Sequence, residues 1–458
     1  MKKNFYTPSF FKKYLQCKYI IFNEYNEDKL GLKRKEITKS DDLRFKKGFK
    51  HEKEYFNSLK KKYKKIIDIK SLELPRDEKI KKTLESINEG YEIIYNGHLD
   101  DGKWSGEFDF LEINKNLKSN LGDYSYEILD AKNTSKIKPD HVFQLSVYSD
   151  LLEKVQGIRP IKSHIILKGM IKNSVSSDSV FDFYKLNKKK YENFIEYGIK
   201  DAKSEKCSHC KLCEWQDECK NNWLKNDSLN IVPDIRKDTK KKLIKNNVHT
   251  VELLSKQKIS KKIEGINPDT LQKFILISQL IKKEQKTGIP QYLPKDIDDP
   301  NYVGGFKLLP KPSNNDLFFD IESVKDYVVD DGLEYLFGIF YEENNDKIFK
   351  TLWAHTKREE KNNLIKFFDF TEKHFEKYPD AKIYHYGPYE ITAFNKLVSL
   401  HNVCDKNMVS YLREGKFIDL LPIVKQSILT TEGYSIKDLE KYYNFQRTGD
   451  VRKAVQSE

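Results

Sequence analysis

The sequence predicts an α/β protein built in three parts, and two observations lead to this prediction. Short apolar segments with strand character alternate with amphipathic helical segments over residues 1–225 and again over residues 301–458, an alternation typical of α/β folds. Between them, residues 226–290 are helical in pattern, rich in lysine and without strand signals. We therefore predict an α/β domain, a helical region and a second α/β domain.

Composition narrows the class of protein. The chain has 458 residues, which corresponds to about three domains. Charged residues make up 33% of the chain and the mean hydropathy is −0.73, values that exclude an integral membrane protein. The 38% of hydrophobic residues can build cores, which argues against disorder. Lysines interrupt the apolar N-terminal segment, so it does not fit a signal peptide, and we expect a cytoplasmic protein.

The positive charge is a weak indication of a polyanionic partner. Lys and Arg number 83 against 70 Asp and Glu, which gives a net charge of +13. A lysine-rich composition with solvated helix faces explains the same numbers, so the charge alone does not decide. No phosphate-binding loop and no dinucleotide-binding glycine motif occurs, so we expect no ATP-driven motor in this chain.

Each element of the α/β domains has its own signal. A helix is predicted over 43–65, where an apolar stripe consists of Phe45, Phe49, Phe56, Leu59 and Tyr63. The rest of the first domain is predicted as strands 91–98, 106–113, 126–131 and 163–169, with a helix over 141–155. The proline-containing stretch 288–300 is predicted as a linker. The last domain is predicted as strands 316–323, 336–342, 347–355 and 382–387, with helices 358–377 and 389–400.

Three charged residues of the first domain could form a hydrolytic site. Asp109 lies in one predicted strand, and Asp130 and Lys132 lie two residues apart in the next, hence on one face. Carboxylates from adjacent strands can bind Mg²⁺ or Mn²⁺, and a lysine beside them can orient water or stabilise charge on a phosphate. Taken alone the pattern is weak, and a surface Asp–Lys pair explains it better.

Further residues turn this pattern into a resemblance. Gln144 and Tyr148 share one face of the next predicted helix, and His51 lies in the first helix with Glu52 beside it. With the runs GEFDFL, ILDAK and QLSVY, the sequence resembles the RecB-like branch of the PD-(D/E)XK nuclease superfamily. The resemblance implies a restriction-endonuclease-like core in which the metal ligands are His51, Asp109 and Asp130. It also implies that Lys132 is the catalytic lysine and that Gln144 and Tyr148 support the site or the DNA strand. Glu107 is a possible extra acid, but two residues from Asp109 it is expected to add charge to the same strand face.

Four of the six cysteines crowd into the run KCSHCKLCEWQDEC, which in a cytosolic chain indicates metal binding rather than disulfides. Zinc stays open, since His209 could complete a zinc site, although no distant second knuckle is present. RecB-like proteins with a [4Fe–4S] cluster use one cysteine before the nuclease core and three after it. The resemblance therefore implies the cluster ligands Cys17, Cys210, Cys213 and Cys219. Cys207 departs from the pattern as an alternative ligand, and Cys404 is interpreted as a core cysteine.

Acidic residues of the last domain carry a second resemblance. In FFDIES, Asp320 and Glu322 lie two apart on one strand face, which resembles the DEDD exonucleases of the ribonuclease-H-like fold, where such acids bind two metals. The run KIYHYGPYEITAFNKL resembles the second motif, with Glu390 in place of the usual Asp, and Asp419 lies in a run that resembles the YprB-type branch. The final aspartate of this pattern is not found, so we expect a domain without its last motif that is catalytically impaired.

Together these interpretations predict a metal-dependent nuclease that hydrolyses DNA phosphodiester bonds, with a function in DNA repair or recombination. The expected substrate is single-stranded DNA or DNA with free ends, and a helicase supplied by another chain is an expected partner. The alternative is a non-catalytic nucleic-acid-binding or scaffold subunit that works with a separate helicase.

Overall fold

A computed structural model describes residues 4–36, 39–300, 302–324 and 332–446. Its contacts divide the chain into two compact units, residues 1–222 and residues 223–458. None of the helices in the described ranges is both long and apolar enough to cross a membrane.

The first unit has a central mixed sheet. Its described strands are β1 (Ile66–Asp68), β2 (Ile93–Tyr95), β3 (His98–Asp100), β4 (Ser105–Glu107), β5 (Phe110–Asn114), β6 (Ser125–Ala131), β7 (Lys162–Leu167) and β8 (Ile171–Ser176). Six of them form one sheet in the order β1-β2-β5-β6-β7-β8, and β3 pairs with β4. The helices are α1 (Pro8–Gln16), α2 (Lys18–Leu30), α3 (Lys39–Lys62), α4 (Arg76–Asn88), α5 (Pro139–Gln156), α6 (Asp178–Asn193) and α7 (Gln216–Lys225).

Helices cover both faces of this sheet. Residues of α5 pack on one face in a cluster that contains Leu111, Ile128 and Ile165. Residues of α3 pack in another cluster that contains Phe110, Leu129 and Ile166. Each strand thus sends adjacent residues to opposite faces, the alternation that a strand covered on both sides requires.

Two details of the first unit differ from the prediction. The run 106–113 is not one strand, because it breaks after β4 and resumes at β5, and Asp109 lies in this break rather than within a strand. The stripe on α3 is also only half right: Phe56 and Leu59 are buried, but Phe45 and Phe49 are exposed because they contact neither core.

The described part of the second unit begins with helices α8 (Lys237–Lys245), α9 (Val251–Ser255) and α10 (Pro268–Thr287). The turns between them contain Asn247 and Gly265, both with positive φ. The predicted linker 288–300 contains a short strand, β9 (Tyr292–Pro294), which pairs with a strand near the end of the chain, β15 (Ile428–Thr430). The pairing satisfies backbone groups that a free linker would leave to water, so this stretch is part of the fold.

The five-stranded sheet among the described residues of this unit consists of β10 (Leu317–Val324), β11 (Leu333–Glu343), β12 (Asp346–Trp353), β13 (Ile383–His385) and β14 (Phe417–Asp419), in the order β12-β11-β10-β13-β14. β10, β13 and β14 are parallel, and β11 is antiparallel to β10. The helices are α11 (Lys357–Lys377), α12 (Tyr389–His401), α13 (Asp405–Arg413), α14 (Leu420–Ser427) and α15 (Ile436–Leu439). Aromatic residues dominate the core, among them Phe319, Phe337, Phe367 and Phe394.

Candidate functional site

The ends of β5 and β6 bring two carboxylates together. These strands are antiparallel with Phe110 paired to Leu129, so the register carries Asp109 opposite Asp130. Asp109 Oδ2 accepts a hydrogen bond from the backbone N–H of Ala131 at 2.8 Å, which fixes its side chain across the two strands. Two acids that lie far apart in the sequence are therefore neighbours.

Asp130 is buried and short of hydrogen-bond donors. Its residue is 1% exposed, and neither carboxylate oxygen accepts a directed hydrogen bond from another described residue. The ammonium of Lys132 lies 2.6 Å from Asp130 Oδ2, so the contact is an ion pair by distance. Lys132 follows the end of β6 and still lies on the same side of the chain as Asp130. The arrangement leaves carboxylate lone pairs open in a buried position, where they are costly unless a cation or donor satisfies them.

The charges of this group act strongly on one another. Burial raises the pKa of Asp109 well above its usual range, and the charge of Asp130 raises it further, against the opposing effect of Lys132. Burial lowers the pKa of Lys132, but Asp130 and Asp109 outweigh this and the net pKa lies above 10.5. Lys132 therefore keeps its charge, and the two carboxylates compete for one ammonium.

His51 reaches the same place from α3. It is buried, and its Nε2 lies 3.0 Å from the backbone carbonyl of Ile166 in β7. The same carbonyl accepts the backbone N–H of Lys132 at 2.9 Å. Because a carbonyl can only accept, Nε2 carries the proton and Nδ1 is the basic nitrogen of the ring. One carbonyl of β7 thus orients both His51 and Lys132.

Glu52 is a further acid of this group that the motif comparison named only as a neighbour of His51. Its Oε1 accepts hydrogen bonds from Tyr95 Oη at 2.9 Å and Asn96 Nδ2 at 3.1 Å. Its charge is one of the causes that raise the pKa of Asp109 and of Lys132, so it lies close to both. The sequence signal was present, since Glu52 follows His51 directly, but helical periodicity alone does not show which neighbour faces a sheet.

Helix α5 covers the face of the sheet opposite to α3, and it contributes Gln144 and Tyr148. Tyr148 donates a hydrogen bond to the backbone carbonyl of Glu107, and the Gln144 side chain is hydrogen-bonded to Tyr148. Burial raises the pKa of Tyr148 strongly, and Asp130 and Asp109 raise it further, so its hydroxyl stays protonated. Gly106 makes this approach possible, because a Cβ at residue 106 would lie 2.9 Å from the Tyr148 ring.

Two other residues near this group have distinct roles. His141, which the sequence reasoning missed, is 3% exposed in the first turn of α5, and burial lowers its pKa to about 4. Lys132 and Asp130 are among the charges that act on it, so a neutral imidazole lies close to the ion pair. Glu107 has a side chain that is 57% exposed and lies 2.6 Å from Lys79, so it contacts other partners.

The cysteines of the two ends of the first unit converge. Cys17 lies between α1 and α2, and Cys207 Sγ is 3.8 Å from both Cys210 Sγ and the carbonyl of Gln16. Burial, together with smaller effects of the charges of Cys207 and Cys210, raises the pKa of Cys17 to about 11. Burial raises the pKa of Cys219 to about 12, with further contributions from Cys213, Cys17 and Cys210. All five thiols therefore lie within electrostatic reach of one another.

Ion pairs next to the thiols hold this arrangement. Arg34 contacts Glu24 and Glu27 at 2.6 Å and Glu214 at 2.8 Å, and its guanidinium stacks 4.8 Å from the Trp215 ring. Glu24 has a side chain that is only 2% exposed. We call Arg34, Glu24, Glu27, Glu214 and Trp215 the arginine clasp; it joins α2 to the segment that carries Cys213.

The remaining cysteine lies in the second unit, and His209 lies in the chain between Cys207 and Cys210. Cys404 precedes α13 and is half-buried against the core of the second unit. The charges that act on His209 are those of Asp140, Lys12 and Glu214, and burial lowers its pKa.

The acids of the second unit are differently placed. Asp320 is exposed on β10 and Glu322 is half-buried. Glu390 is 4% exposed in α12, and its Oε2 lies 3.4 Å from His385 Nδ1. Glu334, missed in the sequence, is 5% exposed and accepts a hydrogen bond from Tyr389 Oη at 2.9 Å. Asp419 instead caps α14, where its Oδ1 accepts hydrogen bonds from the backbone of Leu421 and Gly387.

Neither group forms a finished metal site by itself. Throughout the described ranges, no three His, Cys, Asp or Glu side chains are arranged to hold a metal ion as they stand. The acids lie close to one another, and so do the thiols.

Comparison with known proteins bears on the second unit. Residues 317–457 match the family model of the RNase H superfamily. The C-terminal α/β domain is ribonuclease-H-like. Families with this fold generally hydrolyse nucleic acids, so the match indicates a nuclease-type function related to nucleic acids. No curated protein matches the chain.

Proposed function

We propose that the protein is a metal-dependent nuclease whose first unit hydrolyses DNA phosphodiester bonds, with a function in DNA repair or recombination. The observation that carries the proposal is the meeting of Asp109, Asp130 and Lys132 at the ends of β5 and β6. Hydrolysis of a phosphodiester needs an activated water and neutralisation of charge, and these residues can serve both needs.

The residues fit a divalent cation. Asp130 is buried with Lys132 paired to one of its oxygens, and burial together with the charge of Asp130 raises the pKa of Asp109. A cation between the two carboxylates would therefore stabilise both. Mg²⁺ and Mn²⁺ prefer carboxylate oxygens, and His51 could add its Nδ1. When bound, such a metal supplies an acidified water and polarises the phosphate.

The other residues have supporting roles in this proposal. Lys132 stays charged and can orient the attacking water or stabilise the negative charge that develops on phosphate. Tyr148 and Gln144 support the β4 backbone close to the two carboxylates, and Glu52 adds a carboxylate beside Asp109.

The test is cleavage of end-labelled single-stranded and duplex DNA by the purified protein with Mg²⁺ or Mn²⁺. Lys132→Ala should lower the cleavage rate at least about a hundredfold, the effect expected when one charge-stabilising group is lost. Lys188→Ala is a matched control, because Lys188 is a similarly buried lysine that pairs with Asp150 outside the site. Normal cleavage by Lys132→Ala would refute the proposal, and no cleavage by the unmodified protein would favour the scaffold alternative.

We propose a [4Fe–4S] cluster on Cys17, Cys210, Cys213 and Cys219, with Zn²⁺ as the alternative and Cys207 as a substitute ligand. The support is that thiols from both ends of the unit converge, and that burial disfavours the charged forms of Cys17, Cys210, Cys213 and Cys219 unless a metal compensates. Anaerobically purified protein should absorb broadly near ~400 nm, as iron thiolates do, and Cys17→Ser should lose this absorbance. A colourless protein that contains one equivalent of zinc would decide for the alternative.

For the second unit we propose a role in holding nucleic acid or a partner. The ribonuclease-H-like match supports contact with nucleic acid, whereas Asp320 is exposed and no group of three ligands is assembled among the described residues.

A further inference from the structure

Part of α3 extends past the cores of the first unit. Phe45 is 62% exposed and Phe49 is 49% exposed, although both continue the stripe that buries Phe56 to 3%. Two large aromatic rings on one helix, four residues apart, lie side by side on its surface. Scattered exposed apolar residues are common, but a paired set on a helix that is otherwise packed needs an explanation.

Lysines lie next to these rings, with acids close by. Among residues 41–54, five are Lys or Arg and four are Asp or Glu. Lys70, which follows β1, places its ammonium 4.9 Å from the centre of the Phe49 ring. Lys46 pairs with Asp42 at 2.7 Å, but both are well exposed, and such pairs exchange readily for a stronger anion. Aromatic rings set among lysines match the two components of an unpaired nucleic-acid strand, its bases and its phosphates.

Gly48 adds an independent observation. It lies in the interior of α3, where glycine is less favourable than alanine, and a Cβ at this position would have no atom within 4 Å. No packing contact within the described protein therefore requires glycine there. Because residue 48 has no side chain, the helix surface between Phe45 and Phe49 stays open, and the backbone of a bound molecule can approach it closely.

The same helix carries the rings and His51. His51 lies on another face of α3, about 9 Å along the helix axis from Phe45 at a rise of 1.5 Å per residue. We propose that Phe45, Gly48 and Phe49, with Lys46 and Lys53, form a stacking platform for an unpaired nucleic-acid strand that leads to Asp109 and Asp130. The proposal rests on the proposed nuclease function and specifies its substrate: a duplex offers no free base faces, so the platform favours single strands.

The test is binding rather than cleavage. Fluorescence anisotropy with a fluorescein-labelled oligothymidylate and a labelled duplex, both in EDTA, measures affinity when no metal supports cleavage. The double variant Phe45→Ala/Phe49→Ala should bind the single strand about tenfold more weakly or worse, since each lost stack costs a substantial part of the affinity. Its affinity for the duplex should change less than about threefold. Phe183→Ala is the control, because Phe183 is 61% exposed on α6, away from this surface.

Two further variants test the contribution of charge and of side-chain size to strand binding. Lys46→Ala/Lys53→Ala should reduce the slope of log affinity against log salt by about 1.4, because each phosphate contact to a single strand contributes about 0.7. Gly48→Leu should weaken single-strand binding as the aromatic variant does, without removing any ring or charge. Circular dichroism of every variant verifies that the fold is retained.

Three outcomes would overturn the platform. The double variant Phe45→Ala/Phe49→Ala could keep its single-strand affinity while cleavage still depends on Lys132. This result would support the nuclease proposal and contradict the platform proposal. Equal losses for single strand and duplex would show a general charge effect. A change in sedimentation from dimer to monomer in the aromatic variant would assign the rings to contact between copies of the chain. Failure of the unmodified protein both to bind and to cleave would remove the proposed function as well.

Discussion

The two units differ in how their acidic residues are grouped. In the first unit, Asp109 and Asp130 meet in a buried place with a lysine at 2.6 Å, and their charges act on each other. In the second unit, Asp320 is exposed, while Glu334 and Glu390 are buried beside Tyr389 and His385. The contrast teaches that a sequence motif identifies the candidate residues of a site. Burial and neighbouring charges then determine how strongly their carboxylates act on one another.

The largest expected difference is in activity. Asp130→Asn should lower the cleavage rate of single-stranded DNA at least about a hundredfold, because it removes a buried carboxylate that a metal would need. Asp320→Asn should change the rate less than about threefold, since an exposed carboxylate binds a cation weakly against water. Initial rates of both variants on one labelled substrate test this. Equal losses would show that the second unit is catalytic and that the comparison is wrong.

The next difference is in stability, measured by urea denaturation in EDTA. Asp109→Asn should stabilise the protein by about 1 kcal/mol, because it removes one of two competing buried charges. Its amide can also donate a hydrogen bond to Asp130, whose oxygens lack directed donors among described residues. Asp320→Asn should change the free energy of unfolding by less than about 0.5 kcal/mol, as surface substitutions do. Destabilisation by Asp109→Asn would show that the carboxylate pair is not strained.

The smallest effect concerns the pH dependence of Glu334. Burial raises the pKa of this carboxyl above its ordinary value of 4.5, and the hydrogen bond from Tyr389 opposes the rise. A raised pKa means that protonation stabilises the fold at acidic pH, and that this stabilisation is lost as pH rises through the folded-state pKa. Glu334→Gln should therefore be more stable than the unmodified protein by about 0.5 kcal/mol at pH 7 and equally stable below pH 4.5. Thermal unfolding at pH 4 and pH 7 measures the difference, and the same gain at both values would contradict it.

Much of the fold followed from local patterns. The periodicity that predicted a helix over 358–377 corresponds to α11 within one residue, and the strands around Asp130 and Asp320 lie where alternation placed them. The sequence pattern did not predict how much of α3 packs on the sheet. The apolar stripe continues through Phe45 and Phe49, but the core that covers the rest of the stripe ends before them. Periodicity reports which residues share a face and cannot report where the partner surface ends.

The site was predictable to the same degree. Two-residue spacing correctly indicated that Asp130 and Lys132 lie on one side, although Lys132 lies beyond the last strand residue. The place of Glu52 beside Asp109 and that of His141 beside the ion pair were not predicted, because only tertiary packing brings a helix residue to the end of a strand pair. The roles of the six motif residues stay predictions until the variants are measured.

The convergence of Cys17 with the segment from Cys207 to Cys219 has a consequence for the topology of the chain. Any bond that joins Cys17 to Cys210, whether through iron, zinc or oxidation, closes a ring of nearly two hundred residues that contains the central sheet of the first unit. Closing a ring of this size removes entropy from the unfolded chain worth on the order of 5 kcal/mol. A protease that cut an exposed turn of the core would then produce two fragments that still migrate as one particle until the thiols are released.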